Sequence, residues 1–272
     1  MQDEGILWSV DNGLLVVELA PGGDGSIPMK RITETVTVDA GPRWDETYEE
    51  QRERITEQWS LWDAQRGKIV EVCIGEGITS IPAEAFSGME NLRHVRLPGS
   101  LGGIAPRTFR GLSNLESVSI SEGTWWIGER AFEGCKALRS VMLPSTLRKV
   151  CDSAFSECAN LEGIALPQGL NEIGAFAFSG CVSLTSAIIP EGVTKIGGQA
   201  FFKCGNLVNV SIPDSATEVG RSAFSSCGGL QEASVPRGMS TQQLDDVFGY
   251  YGSGKRVKYR RRSALSGLFG KK

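Results

Sequence analysis

The chain has 272 residues, with 28 basic and 32 acidic side chains, a formal net charge of −4, and 40% hydrophobic residues. Together with 34 glycines this composition suits a water-soluble protein with many tight turns, and no run of 18 apolar residues suggests a membrane-spanning helix. The N-terminus, MQDEGILWSV, lacks the basic region and apolar stretch of a signal peptide. A cytoplasmic location is therefore favoured, with the cell surface or secretion as the alternative if a leader was removed.

Residues 1–68 are predicted to form an N-terminal cap made of a hairpin, a loop and an amphipathic helix. Asn12-Gly13 between two apolar runs is a strong hairpin signal. A helix is predicted over residues 45–66, because Thr47 and Glu50 offer a capping box and aromatic residues recur near helical spacing. This aromatic face either forms a partner groove or covers the end of the repeats that follow. We favour the cover, because a repeat array needs capped ends.

Residues 69–238 repeat with a period of 23 residues and no insertion or deletion. One column of the repeat contains only phenylalanine: Phe86, Phe109, Phe132, Phe155, Phe178, Phe201 and Phe224. Parallel columns hold leucine, isoleucine or valine. A fixed period of this length predicts a solenoid, in which each unit buries its apolar face against its neighbours.

Each unit contains a strand signal followed by a shorter apolar pattern. Leu92-x-x-Val95-x-Leu97 alternates as expected of a strand with one buried face, and the proline column that follows ends it. Residues 127–135 are apolar at a spacing that predicts one or two helical turns on the opposite wall.

The clearest unit, residues 127–149, shows the pattern I-G-x-x-A-F-x-x-C-x-x-L-x-x-V-x-L-P. This pattern resembles the BspA-like bacterial leucine-rich repeats, and the resemblance covers residues 69–238. It implies an α/β solenoid, a right-handed superhelix of 23-residue coils that each combine a strand with a short helical turn. The family implies protein contacts, often adhesion at a bacterial cell surface. It has no shared catalytic site.

Five of the seven cysteines occupy one column of the repeat, and three explanations are open. The column comprises Cys135, Cys158, Cys181, Cys204 and Cys227. A metal site needs about four converging ligands, whereas a column along a solenoid diverges. A disulfide ladder between adjacent coils would leave one of five thiols unpaired. Small buried hydrophobic side chains are favoured, because earlier units carry Met89 and Leu112 there.

The sequence predicts no enzyme, cofactor or metal. Its one histidine, His94, is on a predicted outward strand position without a nucleophile elbow, phosphate loop or carboxylate cluster beside it. The glycines at 128, 174, 197 and 220 are interpreted as a repeated turn rather than a nucleotide-binding loop.

The outward strand positions form the first candidate surface for a protein partner. They are mostly small and uncharged, with His94 and Arg96 at one end and apolar side chains at Met142 and Ile188. Solenoids bind partners through extended concave sheets. Alternatively, the small residues only pack along the ladder.

Trp125 and Trp126 form the second candidate surface. Their columns hold polar residues or glycine in the other units, so both indoles are expected at a turn and partly exposed. Tryptophan is enriched in interface hot spots, and such a patch also suits self-association. Alternatively, the pair folds over Gly102 and Gly103 of the preceding coil.

Residues 239–254 are predicted to be a degenerate closing unit, and residues 255–272 a basic tail. The tail has eight basic and no acidic residues, which leaves 20 basic and 32 acidic residues in the body. Its cationic side chains include Lys255, Arg256, Lys258, Arg260, Arg261 and Arg262. A cationic tail on an acidic body can bind an anionic membrane, nucleic acid or the body itself, and its apolar residues favour a membrane surface. Otherwise it is a disordered, solubilising end.

These features together predict a non-enzymatic protein-binding scaffold or adhesin that uses the concave sheet and an exposed aromatic patch. The alternative is a peripheral membrane or nucleic-acid binder that uses the basic tail.

Overall fold

The computed structural model describes residues 5–19, 38–39, 63–249 and 257–261. In these ranges the chain forms a parallel β-solenoid with one coil per 23-residue repeat, and little of it is helical. The solenoid and its repeat period are as the sequence predicts. The predicted helix over residues 45–66 lies almost entirely outside the described residues.

The strands are named in chain order. They are β1 (Gly5–Asp11), β2 (Leu14–Leu19), β3 (Val38–Asp39), β4 (Glu71–Ile74), β5 (His94–Leu97), β6 (Gly103–Ile104), β7 (Ser117–Ile120), β8 (Trp126–Ile127), β9 (Ser140–Met142), β10 (Lys149–Val150), β11 (Glu172–Ile173), β12 (Ser186–Ile188), β13 (Lys195–Ile196), β14 (Asn209–Ser211), β15 (Glu218–Val219), β16 (Glu232–Val235) and β17 (Lys258–Arg261). The α-helix α1 spans Thr241–Phe248, and two 3₁₀ segments span Asp63–Lys68 and Gly99–Leu101.

The strands predicted from the Leu-x-x-Val-x-Leu pattern form a ladder that we call the front sheet. It has two parts, a seven-stranded part in the order β3-β1-β2-β4-β5-β7-β9 and a four-stranded part in the order β12-β14-β16-β17. The parts are separated by residues 161–166, which are not a strand although they carry the pattern. Gly163 lies in this segment, and glycine weakens a strand because it has no side chain to pack.

An antiparallel hairpin extends the front sheet at its N-terminal end. β1 and β2 pair around Asn12 and Gly13, both of which have positive φ. β2 then pairs in parallel with β4, and the amide nitrogens of Val70 and Glu71 donate to the carbonyl oxygen of Gly13. The hairpin therefore covers the edge strand of the first coil.

A second ladder, the side sheet, is a feature that the sequence analysis does not predict. Its six two-residue strands run in the order β15-β13-β11-β10-β8-β6. The first residue of each strand faces outward, and the second belongs to a buried or half-buried column of isoleucine and valine. Trp126 and Ile127 therefore lie on a strand, which corrects their assignment to a turn and a helical turn.

The wall opposite the front sheet consists of turns rather than the predicted helical turns. The residue before the buried Ala-Phe or Thr-Phe pair of each coil has φ between 55° and 62°: Glu84, Arg107, Arg130, Ser153, Phe176, Gln199 and Ser222. A left-handed residue cannot continue a right-handed helix. The backbone bonds instead to the next coil, as when the amide of Phe155 donates to the carbonyl of Ala177 at 2.8 Å.

The phenylalanine column forms the centre of the core. The rings from Phe86 to Phe224 are buried and stack nearly parallel, with neighbouring centroids 5.0–5.4 Å apart. Phe248 of α1 continues the stack at 5.5 Å from Phe224, although it is 24 residues further along the chain. Offset stacking of this kind adds to the stabilisation that comes from burial.

The glycines at 128, 174, 197 and 220 are needed for close approach of adjacent coils, which corrects their interpretation as turn residues. None of the four has positive φ. A Cβ on Gly197 would lie 2.3 Å from the amide nitrogen of Ala175, and one on Gly220 would lie 2.3 Å from that of Gly198. Real Cβ atoms do not approach backbone so closely, so these positions require glycine.

The C-terminal end also differs from the sequence prediction. The last strand of the front sheet is β17, which lies inside the predicted basic tail and pairs in parallel with β16. The register places Lys258 opposite Glu232 and Arg261 opposite Val235. The Tyr259 ring contacts the Phe248 ring at 5.2 Å. The 23-residue pattern does not predict this strand, because β17 follows β16 by 26 residues and its side chains are mostly cationic.

Candidate functional site

The cysteine column is a set of buried hydrogen-bond donors. Each thiol donates to the carbonyl oxygen of the phenylalanine 26 residues earlier, at 3.1–3.2 Å, as Cys181 does to Phe155. All seven cysteines are free, and the described residues contain no cluster of metal-ligating side chains. Burial raises the pKa of Cys135 and of Cys181 to about 12. These thiols therefore stay protonated and support the coil structure.

The raised pKa values predict a loss of stability at alkaline pH. The unfolded chain releases the thiol protons above pH 9, whereas Cys135 and Cys181 hold theirs to about 12 when folded. The stability that each buried thiol contributes is fully present below pH 9. Above pH 9 the free energy of unfolding falls by about 1.4 kcal/mol per pH unit for each thiol. Urea unfolding at pH 7, 9 and 10.5 should show a smaller alkaline loss for Cys181→Ala than for the wild type. Cys73→Ala, at a half-buried position, serves as the control, and equal losses in both variants would contradict the assignment.

His94 and Arg96 lie together on the outward face of the front sheet, as predicted. His94 Nδ1 is 2.9 Å from Ser117 Oγ, and the Arg96 guanidinium is 3.2 Å from the Glu71 carboxylate. They border a shallow trough of about 360 Å³, which extends past Ser119 to Met142. Because Arg96 is paired and exposed, the trough offers hydroxyl groups and one imidazole rather than a concentrated charge.

Met142 and Ile188 flank the interruption of the front sheet. Each is 71% exposed, and Ala165 lies between them in the same column. A depression of about 170 Å³ opens at the interruption, lined by Ile164, Ala165, Leu166, Gln168, Ser186, Ile188 and Pro190. The sequence identifies the outward apolar positions but not this depression, since it arises where the ladder is broken.

Trp125 and Trp126 differ from each other in their surroundings. Trp125 is 63% exposed, whereas Trp126 is 39% exposed. A Cβ on Gly103 would lie 2.2 Å from the Trp126 indole, so this ring packs directly over Gly103 in the preceding strand of the side sheet. Nothing lies within 4 Å of a Cβ at Gly102. Trp126 therefore packs over the preceding coil, whereas Trp125 is largely exposed.

The coil that carries the two tryptophans departs from the repeat at further positions. Ser121 replaces the proline of most units, and the buried Thr124 replaces a column of mostly apolar residues. Among the described side chains, Thr124 Oγ1 is a buried oxygen without a hydrogen-bond partner. A run of locally unfavourable choices at one place is typical of a functional site.

A row of paired charges continues the side sheet beyond Trp126. The carboxylate of Glu172 lies 2.9 Å from Lys149 Nζ and 3.2 Å from Lys195 Nζ. The hydrogen bond from Lys149 is the main cause of the lowered pKa of Glu172, and it likewise raises the pKa of Lys149. The indoles of Trp125 and Trp126 are thus an apolar patch that borders a row of paired charges.

The candidate residues do not form one site. His94, Arg96, Met142 and Ile188 lie on the front sheet, whereas Trp126 lies on the side sheet. Of the tail residues, Lys258, Arg260 and Arg261 are exposed on β17, and Arg260 forms an ion pair with Glu232. Lys255, Arg256 and Arg262 lie outside the described residues. Within those residues no helix is long and apolar enough to cross a membrane.

Comparisons with known proteins agree with this architecture. A family model for the BspA type leucine rich repeat region, in six copies, matches residues 64–172 and 126–251. Solved structures of leucine-rich repeat proteins are also similar. One from T. pallidum has 29% identity and a TM-score of 0.50, covering 61% of this chain and 72% of that one.

Two further structures are more distant. One from Bacteroides ovatus has 22% identity and a TM-score of 0.40, with 87% of this chain and 70% of that one covered. A leucine rich cell surface protein from Faecalibacterium prausnitzii has 16% identity and a TM-score of 0.35, with coverages of 93% and 98%. No curated protein is similar enough to this chain to count as a match. Because the family model spans well over half of the sequence, the chain belongs to the BspA-type leucine-rich repeat family.

Proposed function

We propose that this protein is a non-enzymatic scaffold or adhesin that binds another protein through the front sheet and the Trp125–Trp126 pair. The observation that carries the proposal is the 63% exposure of Trp125 in a coil that departs from the repeat at four positions. Exposed tryptophan is costly in water and is the residue type most enriched at binding hot spots. The partner is either a different protein or a second copy of this chain.

The outward face of the front sheet supplies the second part of the proposed surface. Along it lie first polar and then apolar side chains, those of His94, Arg96, Met142 and Ile188. The depression beside Ile188 accepts a side chain of the partner. A partner that contacts both sheets wraps around the edge between them. Its affinity then depends on a few buried anchors rather than on total contact area.

Replacing Trp125 by Thr should weaken partner binding by about 30-fold, because truncating a hot-spot tryptophan costs about 2 kcal/mol. Threonine occupies the same column at Thr194 and Thr217, so the coil should fold normally.

Trp126→Lys should lower both affinity and melting temperature, because Trp126 also packs over Gly103. Calorimetric titration with a partner captured by the wild type, or sedimentation equilibrium for self-association, measures the first effect.

The matched control is Thr194→Ala, which changes the same column three coils away. It should leave both binding and melting temperature unchanged. If Trp125→Thr instead melts early with full binding, the indole is a packing residue and this part of the proposal is wrong.

The alternative function is peripheral binding to anionic membrane or nucleic acid through the basic C-terminal segment. It is favoured by the exposed side chains of Lys258, Arg260 and Arg261 on β17. Such binding should fall at least 10-fold between 50 and 200 mM salt, whereas binding through the sheets should hardly change. Deleting the segment would also remove β17, so replacing all eight basic residues of the tail by Gln, Lys258, Arg260 and Arg261 included, is the cleaner test, with anionic vesicles or DNA as the probe. Binding that survives these substitutions excludes the tail as its source.

The cellular compartment stays a prediction. The cytoplasm is favoured from the sequence, and the surface is the alternative if a leader was removed. Recovery of the native protein from the cell exterior or the culture medium would decide for the surface.

A further inference from the structure

The wall of turns opposite the front sheet carries an apolar patch, which we call the wall patch. It consists of Phe176, Val182 and Phe202. Phe176 is 41% exposed and Val182 is 45% exposed, while Phe202 is half-buried. All three lie in turns, outside the strands of the front sheet and of the side sheet. The wall patch is therefore separate from the surfaces to which partner binding is assigned above.

The repeat does not require apolar side chains at these positions, because the other units hold mostly polar residues there. The column of Phe176 otherwise contains Glu84, Arg107, Arg130, Ser153, Gln199 and Ser222. The column of Phe202 otherwise contains Ser87, Arg110, Glu133, Ser156, Ser179 and Ser225. The column of Val182 otherwise contains Glu90, Ser113, Lys136, Ala159, Gly205 and Gly228. The three apolar residues thus come together in two adjacent coils of an otherwise largely polar wall.

Phe176 is also unfavourable for its own backbone. Its φ is 57°, in the left-handed region that bulky side chains rarely adopt. Small or polar residues suit this conformation better, and Ser153 and Ser222 adopt it in the same column. Residues held in such backbone conformations cluster at sites of function. An exposed ring on a left-handed residue therefore indicates a contact that the single chain does not make.

Opposite charges flank the wall patch. Glu157 and Lys203 occupy the same column of the repeat, one coil before and one coil after Gly180, and both are exposed. The Glu157 carboxylate lies over Gly180, and Lys203 Nζ lies 5.2 Å from the centroid of the Phe202 ring. Within the part of the chain that the structure describes, neither charge forms an ion pair. Two coils separate their backbones by about 10 Å.

This arrangement is complementary to itself. Consider a twofold axis that lies in the plane of the wall and runs along the coil of Gly180. It places the coil before Gly180 against the coil after Gly180 of a second copy, so that each residue meets the same column. Glu157 then faces the second copy's Lys203, and the reverse pair forms on the other side of the axis. Phe176 and Val182 each face their own counterparts.

We propose that this protein forms a back-to-back dimer in which the wall patch of one copy packs against the wall patch of a second copy. The occupant is a second copy because each copy supplies both the apolar residues and both members of the flanking charge pairs. The two front sheets then face away from each other. A dimer of this kind presents two partner-binding surfaces and raises the avidity for a partner that is itself multivalent.

Sedimentation equilibrium of the full chain tests the dimer, over about 1 to 100 µM. The wild type should change from monomer to dimer within this range. Phe176→Ser should weaken dimerisation at least about 30-fold, because each dimer loses two buried rings. Serine already occupies this column at Ser153 and Ser222, so the coil should fold. At concentrations where the wild type is a monomer, the variant should unfold at nearly the same urea concentration.

Charge reversal tests the orientation of the two copies. Lys203→Glu and Glu157→Lys should each weaken dimerisation about 10-fold, because each places two like-charged pairs at the interface. Combining both substitutions restores the opposite charges and should restore most of the affinity. The control is Arg139→Glu, which changes the charge equally at an exposed residue next to β9 of the front sheet. It should leave dimerisation unchanged.

Three results would overturn the proposal: a wild type that stays monomeric at about 100 µM, a dimer that Phe176→Ser leaves unchanged, and a charge-swapped double variant as weak as the single ones. A dimer that is lost in Trp125→Thr but kept in Phe176→Ser would assign self-association to the tryptophan pair instead. A dimer that is kept in Trp125→Thr and lost in Phe176→Ser supports the wall patch, whatever the tryptophans bind.

Discussion

Phe155→Ala is expected to lower the free energy of unfolding by about 3–5 kcal/mol. The Phe155 ring lies in the middle of the stack, with its centroid 5.1 Å from that of Phe132 and 5.4 Å from that of Phe178. Removing it leaves a cavity that both neighbouring coils line, and the coils cannot collapse because their backbones are hydrogen-bonded to each other. Urea denaturation followed by circular dichroism measures the change.

Phe176→Ala is the matched control, because it removes the same side chain from a position that is 41% exposed. Its expected cost is below about 1 kcal/mol. Equal losses at Phe155 and Phe176 would mean that the stack is not the centre of the core. Because each coil contacts only its neighbours, Phe155→Ala should also broaden the transition if the two halves of the array unfold separately.

Gly197→Ala is expected to cost about 2–3 kcal/mol, although it adds only one methyl group. The new Cβ would lie 2.3 Å from the amide nitrogen of Ala175 and 2.4 Å from the carbonyl carbon of Gly174. Both atoms belong to the backbone of the preceding coil, so no side chain can move aside to make room. The coils must separate locally, which weakens the hydrogen bond between the Gly197 amide and the Ile173 carbonyl, now 2.7 Å long.

Gly205→Ala makes the same substitution in the same repeat unit, where a Cβ would meet nothing within 4 Å. It should change stability by less than about 1 kcal/mol. If Gly197→Ala is tolerated equally well, the column of glycines at 128, 174, 197 and 220 is not required by the distance between coils. Thermal and urea unfolding of the two variants side by side decide this point.

The surface candidates were partly predictable from the sequence. Alternation along a strand determines which side chains face outward, so His94, Arg96, Met142 and Ile188 are exposed as expected. The different environments of Trp125 and Trp126 were not predictable. They depend on how closely Gly103 approaches the Trp126 indole, and that distance follows from the pairing of β6 with β8.

Two further features were not predictable from the sequence: the buried oxygen of Thr124 without a hydrogen-bond partner, and the depression beside Ile188. Each depends on which groups of a neighbouring coil come within bonding distance. A residue's own position in the repeat contains no such information, so the pattern shows where a site departs from the repeat but not what surrounds it.

By itself, the sequence determines the solenoid, its 23-residue period and the residues of its core. The physical reason is that Phe155 and the other apolar columns have no means of leaving water except against the same columns of adjacent coils. Only the tertiary structure decides where the backbone hydrogen bonds go. Left-handed residues such as Arg130 direct them between coils instead of along a helix, and they create the wall of turns opposite the front sheet. The position of β17 likewise depends on its pairing with β16 across 26 residues, a long-range contact that no local pattern specifies.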